Sequence, residues 1–302
     1  MDIVPDSMRD PRIATTTVEV RDGLHFEIDQ CGDGEEMALC LHGFPEHSFS
    51  WRYQLPMLAE LGFTAWAPNL RGYGSSSRPL GLQSYRLDEL VEDVARIIEA
   101  SGKQKVTLIA HDWGAVIAWE FALRQRLPLE RLIICNVPHP QAMKDYFGWT
   151  QLKKSWYVFF FQIPWLPEYL LGRHQARPIA DTFLTTSSNA AQFPTDVREV
   201  YRRNAAQPGA LTAMINFYRG LLRGKRNRPR IDPRTPIETP TLMIWGEDDV
   251  ALDKTTTLTT GDYVTDFTIR YLSGVSHWVQ QEQPEAVNAM ISAFVKGQDI
   301  PH

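Results

Sequence analysis

Asp112 is the residue in this chain whose type and setting point most directly to chemistry. The run Lys105-Val106-Thr107-Leu108-Ile109-Ala110 is short, apolar and partly β-branched, which reads as a buried strand. It leads into His111-Asp112-Trp113-Gly114-Ala115 and then a helical stretch, Val116 to Arg124. A tight strand-to-helix turn with small neighbours lifts one side chain above the sheet, where it can act as a nucleophile. A carboxylate raised in this way suits attack on saturated carbon. A serine alkoxide attacking such a carbon would leave an ether, which water does not readily cleave, whereas a carboxylate leaves an ester, which water does. Epoxides and alkyl halides fit this chemistry; carboxylic esters and amides fit it poorly. The competing reading makes Asp112 a helix N-cap, a place where aspartate is favoured and its charge complements the helix dipole. The five residues alone leave both readings open.

Three further features fall where a raised nucleophile needs them. The strand Met37 to Leu41 exits into His42-Gly43-Phe44-Pro45-Glu46. That turn can aim the Phe44 N–H at the nucleophile, and the Trp113 N–H supplies a second donor, together an oxyanion hole for the tetrahedral intermediate of ester hydrolysis. The strand Thr241 to Trp245 exits into Gly246-Glu247-Asp248-Asp249-Val250, which offers three acids to orient an imidazole. The strand Phe267 to Leu272 exits into Ser273-Gly274-Val275-Ser276-His277-Trp278. His277 alone would read as a surface histidine. In the order nucleophile, acid, histidine, each after a strand, it reads as a base.

These loops need a sheet to hold them. Thr16 to Val20 and Leu24 to Asp29 form a hairpin pattern with Asp22-Gly23 in the turn. Strands and helices then alternate: Met37 to Leu41, a helix over Trp51 to Leu61, Phe63 to Pro68, an amphipathic helix over Leu87 to Ala100, the elbow strand and its helix, and Leu132 to Cys135. Alternation resumes with Thr241 to Trp245, Asp253 to Thr260, Phe267 to Leu272 and a last helix, Pro284 to Val295. The order predicts an α/β fold with a mostly parallel eight-stranded sheet and helices on both faces. The intervening residues 138–236 are rich in aromatics, Arg and Pro and offer helices only. They read as a helical lid inserted between two parts of a core, 1–137 and 237–302, covering the strand ends where ligands bind in open α/β sheets.

Composition narrows the partners. The chain has 302 residues and a net charge of −5, which as a whole gives no reason to expect nucleic acid or an anionic membrane. The basic run Arg219, Arg223, Lys225, Arg226, Arg228, Arg230 and Arg234 reads as a solvated linker. Cys31, Cys40 and Cys135 are spaced neither as a disulfide framework nor as a metal site, which suggests a reducing compartment. Met1 to Pro11 has no signal-peptide pattern, and Trp156 to Leu171 is too short and interrupted to span a bilayer. The expectation is a cytoplasmic protein with no membrane span. A homodimer is compatible with the sequence.

Taken together, the chain resembles the epoxide hydrolases of the α/β-hydrolase superfamily over nearly its whole length. The carrying motifs are His42 to Glu46, His111-Asp112-Trp113-Gly114, and Arg71-Gly72-Tyr73-Gly74-Ser75-Ser76, with Asn69 where the family commonly has Asp. The resemblance implies Asp249, with Asp248 second, as the partner of His277. It also implies two lid tyrosines: Tyr157, ahead of Phe161-Gln162 and Pro164, and Tyr218 in Asn216-Phe217-Tyr218-Arg219. Two phenolic O–H groups can hold and protonate an epoxide oxygen as negative charge develops on it. The other tyrosines, Tyr53, Tyr73, Tyr146, Tyr169 and Tyr201, read as buried packing residues.

The implied cycle begins with Asp112 attacking a ring carbon to form an ester. His277, kept neutral and oriented by Asp249, then activates water to hydrolyse it, with no cofactor or metal. Trp51, Phe160 and Trp278 are expected as pocket walls beside Phe44 and Trp113, which suits a small apolar epoxide. The rival on the same scaffold is a haloalkane or haloacid dehalogenase. Phe44 stands where a haloalkane enzyme would carry Asn, and Trp113 where a haloacid enzyme would carry Arg. The tyrosine pair favours epoxides. A retained fold acting only as a small-molecule receptor is the remote alternative.

Overall fold

The computed structural model describes residues 3–20, 23–224 and 231–302. Eight strands form one sheet: β1 (Ala14–Glu19), β2 (His25–Cys31), β3 (Glu36–Leu41), β4 (Phe63–Pro68), β5 (Val106–His111), β6 (Arg131–Cys135), β7 (Thr241–Gly246) and β8 (Phe267–Leu272). Their spatial order is β1-β2-β4-β3-β5-β6-β7-β8. β1 pairs antiparallel with β2, and β2 antiparallel with β4; all other pairs are parallel. This is an α/β-hydrolase fold.

Strict alternation along each strand sorts side chains to the two faces. In register, Cys40, Ile109, Ile133 and Leu242 point to one face. Leu39, Leu108 and Leu132 point to the other. Helices Leu87–Ser101 and Trp113–Leu123 cover the second face with Leu90, Val94, Ile117 and Phe121. Helices Gln54–Glu60 and Pro284–Val295 cover the first with Leu55, Leu58, Val287 and Ile291. Each fully buried Leu or Ile contributes about 1.5–3 kcal/mol of transfer free energy, so a one-residue slip of a central strand would forfeit several at once.

Two expected elements differ. Trp51 to Leu61 is not one helix: a 3-10 turn, Ser48–Trp51, precedes a helix that starts at Gln54. Pro56 lacks an N–H and so belongs in a first turn, which sets the later start. Asp253 to Thr260 is two 3-10 turns, Lys254–Thr257 and Thr260–Asp262. There the Asp253 side chain takes the Thr255 N–H, and the Thr256 and Thr257 hydroxyls bond back to carbonyls of Asp253 and Lys254. Side-chain bonds of this kind compete with a regular helix.

Residues 140–223 supply six helices: Pro140–Asp145, Trp149–Lys154, Trp156–Phe160, Leu166–Thr186, Thr195–Ala205 and Ala210–Arg223. The fourth is broken at Arg173–Ala176, where His174, Gln175 and Ala176 have left-handed backbone. Phe183, Tyr201 and Phe217 join these helices to the same hydrophobic cluster as Leu39 and Leu108. Within the basic run, Arg219 is not linker: it is buried and pairs through two nitrogens with Glu168. Lys225, Arg226, Arg228 and Arg230 lie outside the described residues, as does Asp22 of the hairpin turn.

Candidate active site

β5 delivers Asp112 at φ 47° and ψ −119°. A positive φ on a non-glycine residue is a local strain that the surrounding packing must enforce. Two glycines allow it. A Cβ on Gly43 would strike the Asp112 side chain, and one on Gly114 would strike the Leu41 carbonyl, so neither position admits a larger residue. The Asp112 side chain makes no capping bond to the helix that follows. Its Oδ1 accepts the Phe44 N–H at 2.6 Å instead, and its Oδ2 lies 3.4 Å from His277 Nε2. The geometry therefore removes the N-cap reading.

His277, on the loop after β8, places Nδ1 2.7 Å from Asp249 Oδ2. Asp249 is buried and saturated: Oδ1 accepts the N–H groups of Ala251 (2.7 Å) and Leu252 (2.9 Å), and Oδ2 accepts Asn136 Nδ2 (2.7 Å). Asn136 is itself fixed, its Oδ1 accepting the Gly246 N–H at 3.0 Å. Asp248 is exposed and takes a 3.3 Å bond from Ser188, while Glu247 pairs with Lys254 and Ser273. Of the three acids, Asp249 is the one beside the imidazole.

Burial disfavours charge on all three groups, and their mutual attraction outweighs it. Burial would lower the His277 pKa, but the Asp249 and Asp112 carboxylates hold it well above 6.5. Burial would raise Asp112, but His277 and the Phe44 N–H keep it below 3.8. Asp249 is lowered in the same way, by His277, Asn136 and the Leu252 amide. Before any reaction both carboxylates favour the protonated imidazole, Asp112 adding its charge to that of Asp249. The neutral histidine expected from sequence belongs to the later step, in which it takes a proton from water.

Under the elbow lies a buried carboxylate, Glu46. It accepts the Gly43 N–H and His111 Nδ1, each at 2.8 Å, through one oxygen. Gln280 and Gln281 donate to the other oxygen, each at 2.9 Å. His111 Nε2 lies 2.8 Å from the His277 carbonyl, so the network joins the turn at Phe44, the elbow and the histidine loop.

A cavity of about 460 Å³ opens above Asp112 and His277. Phe44, Tyr157, Phe160, Leu171, Tyr218 and Trp278 line it, as do Ile179, Thr182 and Thr185, which sequence reasoning did not find. The rings of Tyr157 and Tyr218 meet edge to face with centroids 5.8 Å apart. Trp113 lies under Tyr218, centroids 4.9 Å apart, and its amide belongs to the first residue of the elbow helix. Burial, followed by the charge of Asp112, raises the pKa of both phenols, so both stay protonated as donors. Trp278 is held by its indole N–H on Thr186 Oγ1 at 2.9 Å.

Several expected roles change. Trp51 does not line the cavity: it is fully buried on the sheet face formed with Leu55, Ala65 and Val279, because the 3-10 turn it ends points inward there. Tyr53, Tyr146 and Tyr169 are exposed, being on loops and outer helix faces rather than packed. Tyr201 matches the packing reading, stacked on Phe183 with its hydroxyl on Gln281 at 2.6 Å. Asn69 uses both ends of its amide, donating to Glu27 and accepting the Ser48 N–H, which an aspartate could not do. Sequence reasoning also missed Asn136; its place directly after β6 at a strand end was the available signal. Lys154 and Gln151 were missed as well. Lys154 Nζ donates to the Asp249 and Leu252 carbonyls at 2.6 and 3.1 Å, and Gln151 bonds Ala251 and Asp253. Among the described residues no group of three or more His, Cys, Asp or Glu could hold a metal ion. No described helix is long and apolar enough to cross a membrane.

Comparison with known proteins agrees with this arrangement. The alpha/beta hydrolase fold family matches residues 39–282. Human "Epoxide hydrolase 4" is 37% identical, over 97% of this chain and 82% of that protein. "Epoxide hydrolase 2" of Caenorhabditis elegans is 34% identical over 90% and 77%. The crystal structure of a Bacillus megaterium epoxide hydrolase with an inhibitor superposes with a TM-score of 0.81 at 31% identity, covering 93% of this chain and all of that one. With its elbow aspartate, histidine and acid set at the ends of an eight-stranded sheet, the chain belongs to the epoxide hydrolases of the α/β-hydrolase superfamily.

Proposed function

We propose that this chain hydrolyses small apolar epoxides to vicinal diols through a covalent ester on Asp112. The observation that carries the reading is a single cavity in which Asp112 and His277 face two protonated phenols, Tyr157 and Tyr218. Asp112 Oδ2, the oxygen not held by an amide, attacks a ring carbon while the phenols hold and protonate the opening oxygen. Esterification removes the Asp112 charge. One of the two anions holding His277 protonated is then gone, so its pKa falls; its proton restores the phenol that protonated the opening oxygen, and the neutral imidazole can then take a proton from water. That water attacks the Asp112 carbonyl carbon. The developing charge falls on Oδ1, already 2.6 Å from the Phe44 nitrogen, with the Trp113 amide as the second donor. The tetrahedral intermediate then breaks its Cγ–Oδ2 bond, the diol leaves with the proton His277 had taken, and the new Asp112 carboxyl returns a proton to His277. Asp249 keeps the imidazole oriented throughout. Residues 138–236 act as a cap that brings the phenols over the elbow, and the cycle draws on no cofactor.

The test is diol formation from styrene oxide by the purified chain beside Asp112→Asn. The expected result is turnover by the wild type and a loss of about four orders of magnitude or more in the variant. No diol from the wild type, with halide released from small haloalkanes or haloacids, would replace this reading with the dehalogenase one.

A further inference from the structure

Of the fifteen large hydrophobic side chains exposed among the described residues, eight fall within residues 146–169. Three are tryptophans, Trp149, Trp156 and Trp165, at 78%, 64% and 72% exposure. Single exposed apolar residues are ordinary, but eight within one stretch of 24 residues, three of them tryptophans, is the composition of an interaction surface. Trp165 is anomalous twice over, since it also has a positive φ of 55°, which bulky residues seldom adopt.

The charge around this surface is one-sided. Lys144, Lys153 and Arg173 are exposed, and no described carboxylate pairs with any of them. The nearby acids are engaged: Asp145 accepts from Gln141, Thr259 and Tyr263, and Glu168 pairs with Arg219. Residues 144–173 carry Lys144, Lys153, Lys154 and Arg173 against Asp145 and Glu168, a net of +2, within the longer stretch 138–236, whose sequence sums to +9 and leaves −14 on the rest of the chain. The overall −5 conceals this polarity. Exposed Trp, Tyr and Phe among unpaired cations fit the headgroup zone of an anionic bilayer, where aromatic rings anchor and basic residues meet acidic lipids. A second copy of the chain fits less well, because a twofold contact would set two positive faces against each other.

We propose that the cap face around residues 144–173 docks this chain on anionic membrane surfaces without crossing them. Trp156 belongs to both the exposed face and the cavity lining, so docking would set the cavity mouth beside the lipid.

Vesicle co-sedimentation tests this, using phosphatidylcholine alone and phosphatidylcholine with about a third phosphatidylserine. The wild type should partition roughly tenfold more strongly onto the acidic vesicles, and raising salt from about 0.05 to 0.5 M should release it. The variants Trp149→Ser/Trp165→Ser and Lys144→Glu/Lys153→Glu/Arg173→Glu should each lose most of the binding while staying folded by circular dichroism. Absence of binding, equal binding to both vesicles, or variants that bind like the wild type would overturn the proposal. A wild-type dimer in solution that the tryptophan variant converts to monomer would overturn it too, giving the face to a second copy. Binding is read without turnover, so its failure leaves the catalytic proposal intact.

Discussion

Asp249 and Tyr157 serve the same cavity but are held in opposite ways. Asp249 sits on a strand-end loop and receives four donors, two of them backbone amides. Tyr157 sits on a helix of five residues and is placed by ring contacts with Trp156, Phe161 and Tyr218. Directional bonds therefore hold Asp249, whereas edge-to-face packing holds the Tyr157 ring. The first kind of support holds an atom to tenths of an ångström; the second tolerates small displacement at modest cost. On the proposed cycle the charge-handling step rests on a hydrogen-bonded loop and the substrate-facing step on a ring-packed helix.

The comparison can be broken most severely at His277. His277→Gln should still form the ester on Asp112 but hydrolyse it at least about a thousandfold more slowly. Intact-protein mass spectrometry should then show one bound substrate accumulating per chain, and rapid diol release by this variant would remove the base from His277. The wild type should show the same division with pH. Attack needs only the Asp112 anion, whose pKa lies below 3.8, so the single-turnover alkylation rate should stay flat down to about pH 5. Ester hydrolysis needs neutral imidazole and should fall as pH drops, because protonation removes the base.

Next in size are the phenols. Tyr157→Phe and Tyr218→Phe should each slow alkylation by about ten- to a hundredfold while leaving ester hydrolysis nearly unchanged. If either change slowed hydrolysis as much as alkylation, the assignment of the two steps to two regions would be wrong.

The smallest effect sharpens the boundary between the regions. Lys154 reaches from the cap to the carbonyls of Asp249 and Leu252. Lys154→Met should lower the hydrolysis rate by about tenfold, through a loosened acid loop, with little change in KM. An effect on KM alone would make Lys154 a wall of the cavity rather than a tie to the loop.

The two regions were also unequally legible in the sequence. Short apolar runs, a hairpin turn and the alternation of strands with helices placed all eight strands, and the loops after β3, β5, β7 and β8 bring Phe44, Asp112, Asp249 and His277 together. Asp249 could not be separated from Asp248 by local pattern, because burial decides between them and burial is a property of the folded loop. Trp51 was misplaced for a similar reason: its neighbours in sequence do not say which face of the sheet it covers. The preference of His277 for its protonated form rests on two carboxylates, 165 and 28 residues away in the sequence, that only folding brings beside it. The positive balance of residues 138–236 does not show in the whole-chain charge because the rest of the chain carries a larger charge of the opposite sign.

The two oxygens of Asp112 are not equivalent: an amide pins Oδ1, while Oδ2 faces the histidine. On the proposed cycle the diol departs with Oδ2, and the oxygen of water takes its place. In heavy-oxygen water each active molecule would therefore acquire a single isotopic mark, and the pinned atom would stay light however long the enzyme worked. The enzyme would replace part of its own nucleophile from solvent at every turn, leaving in one side chain a record of whether it had ever been used.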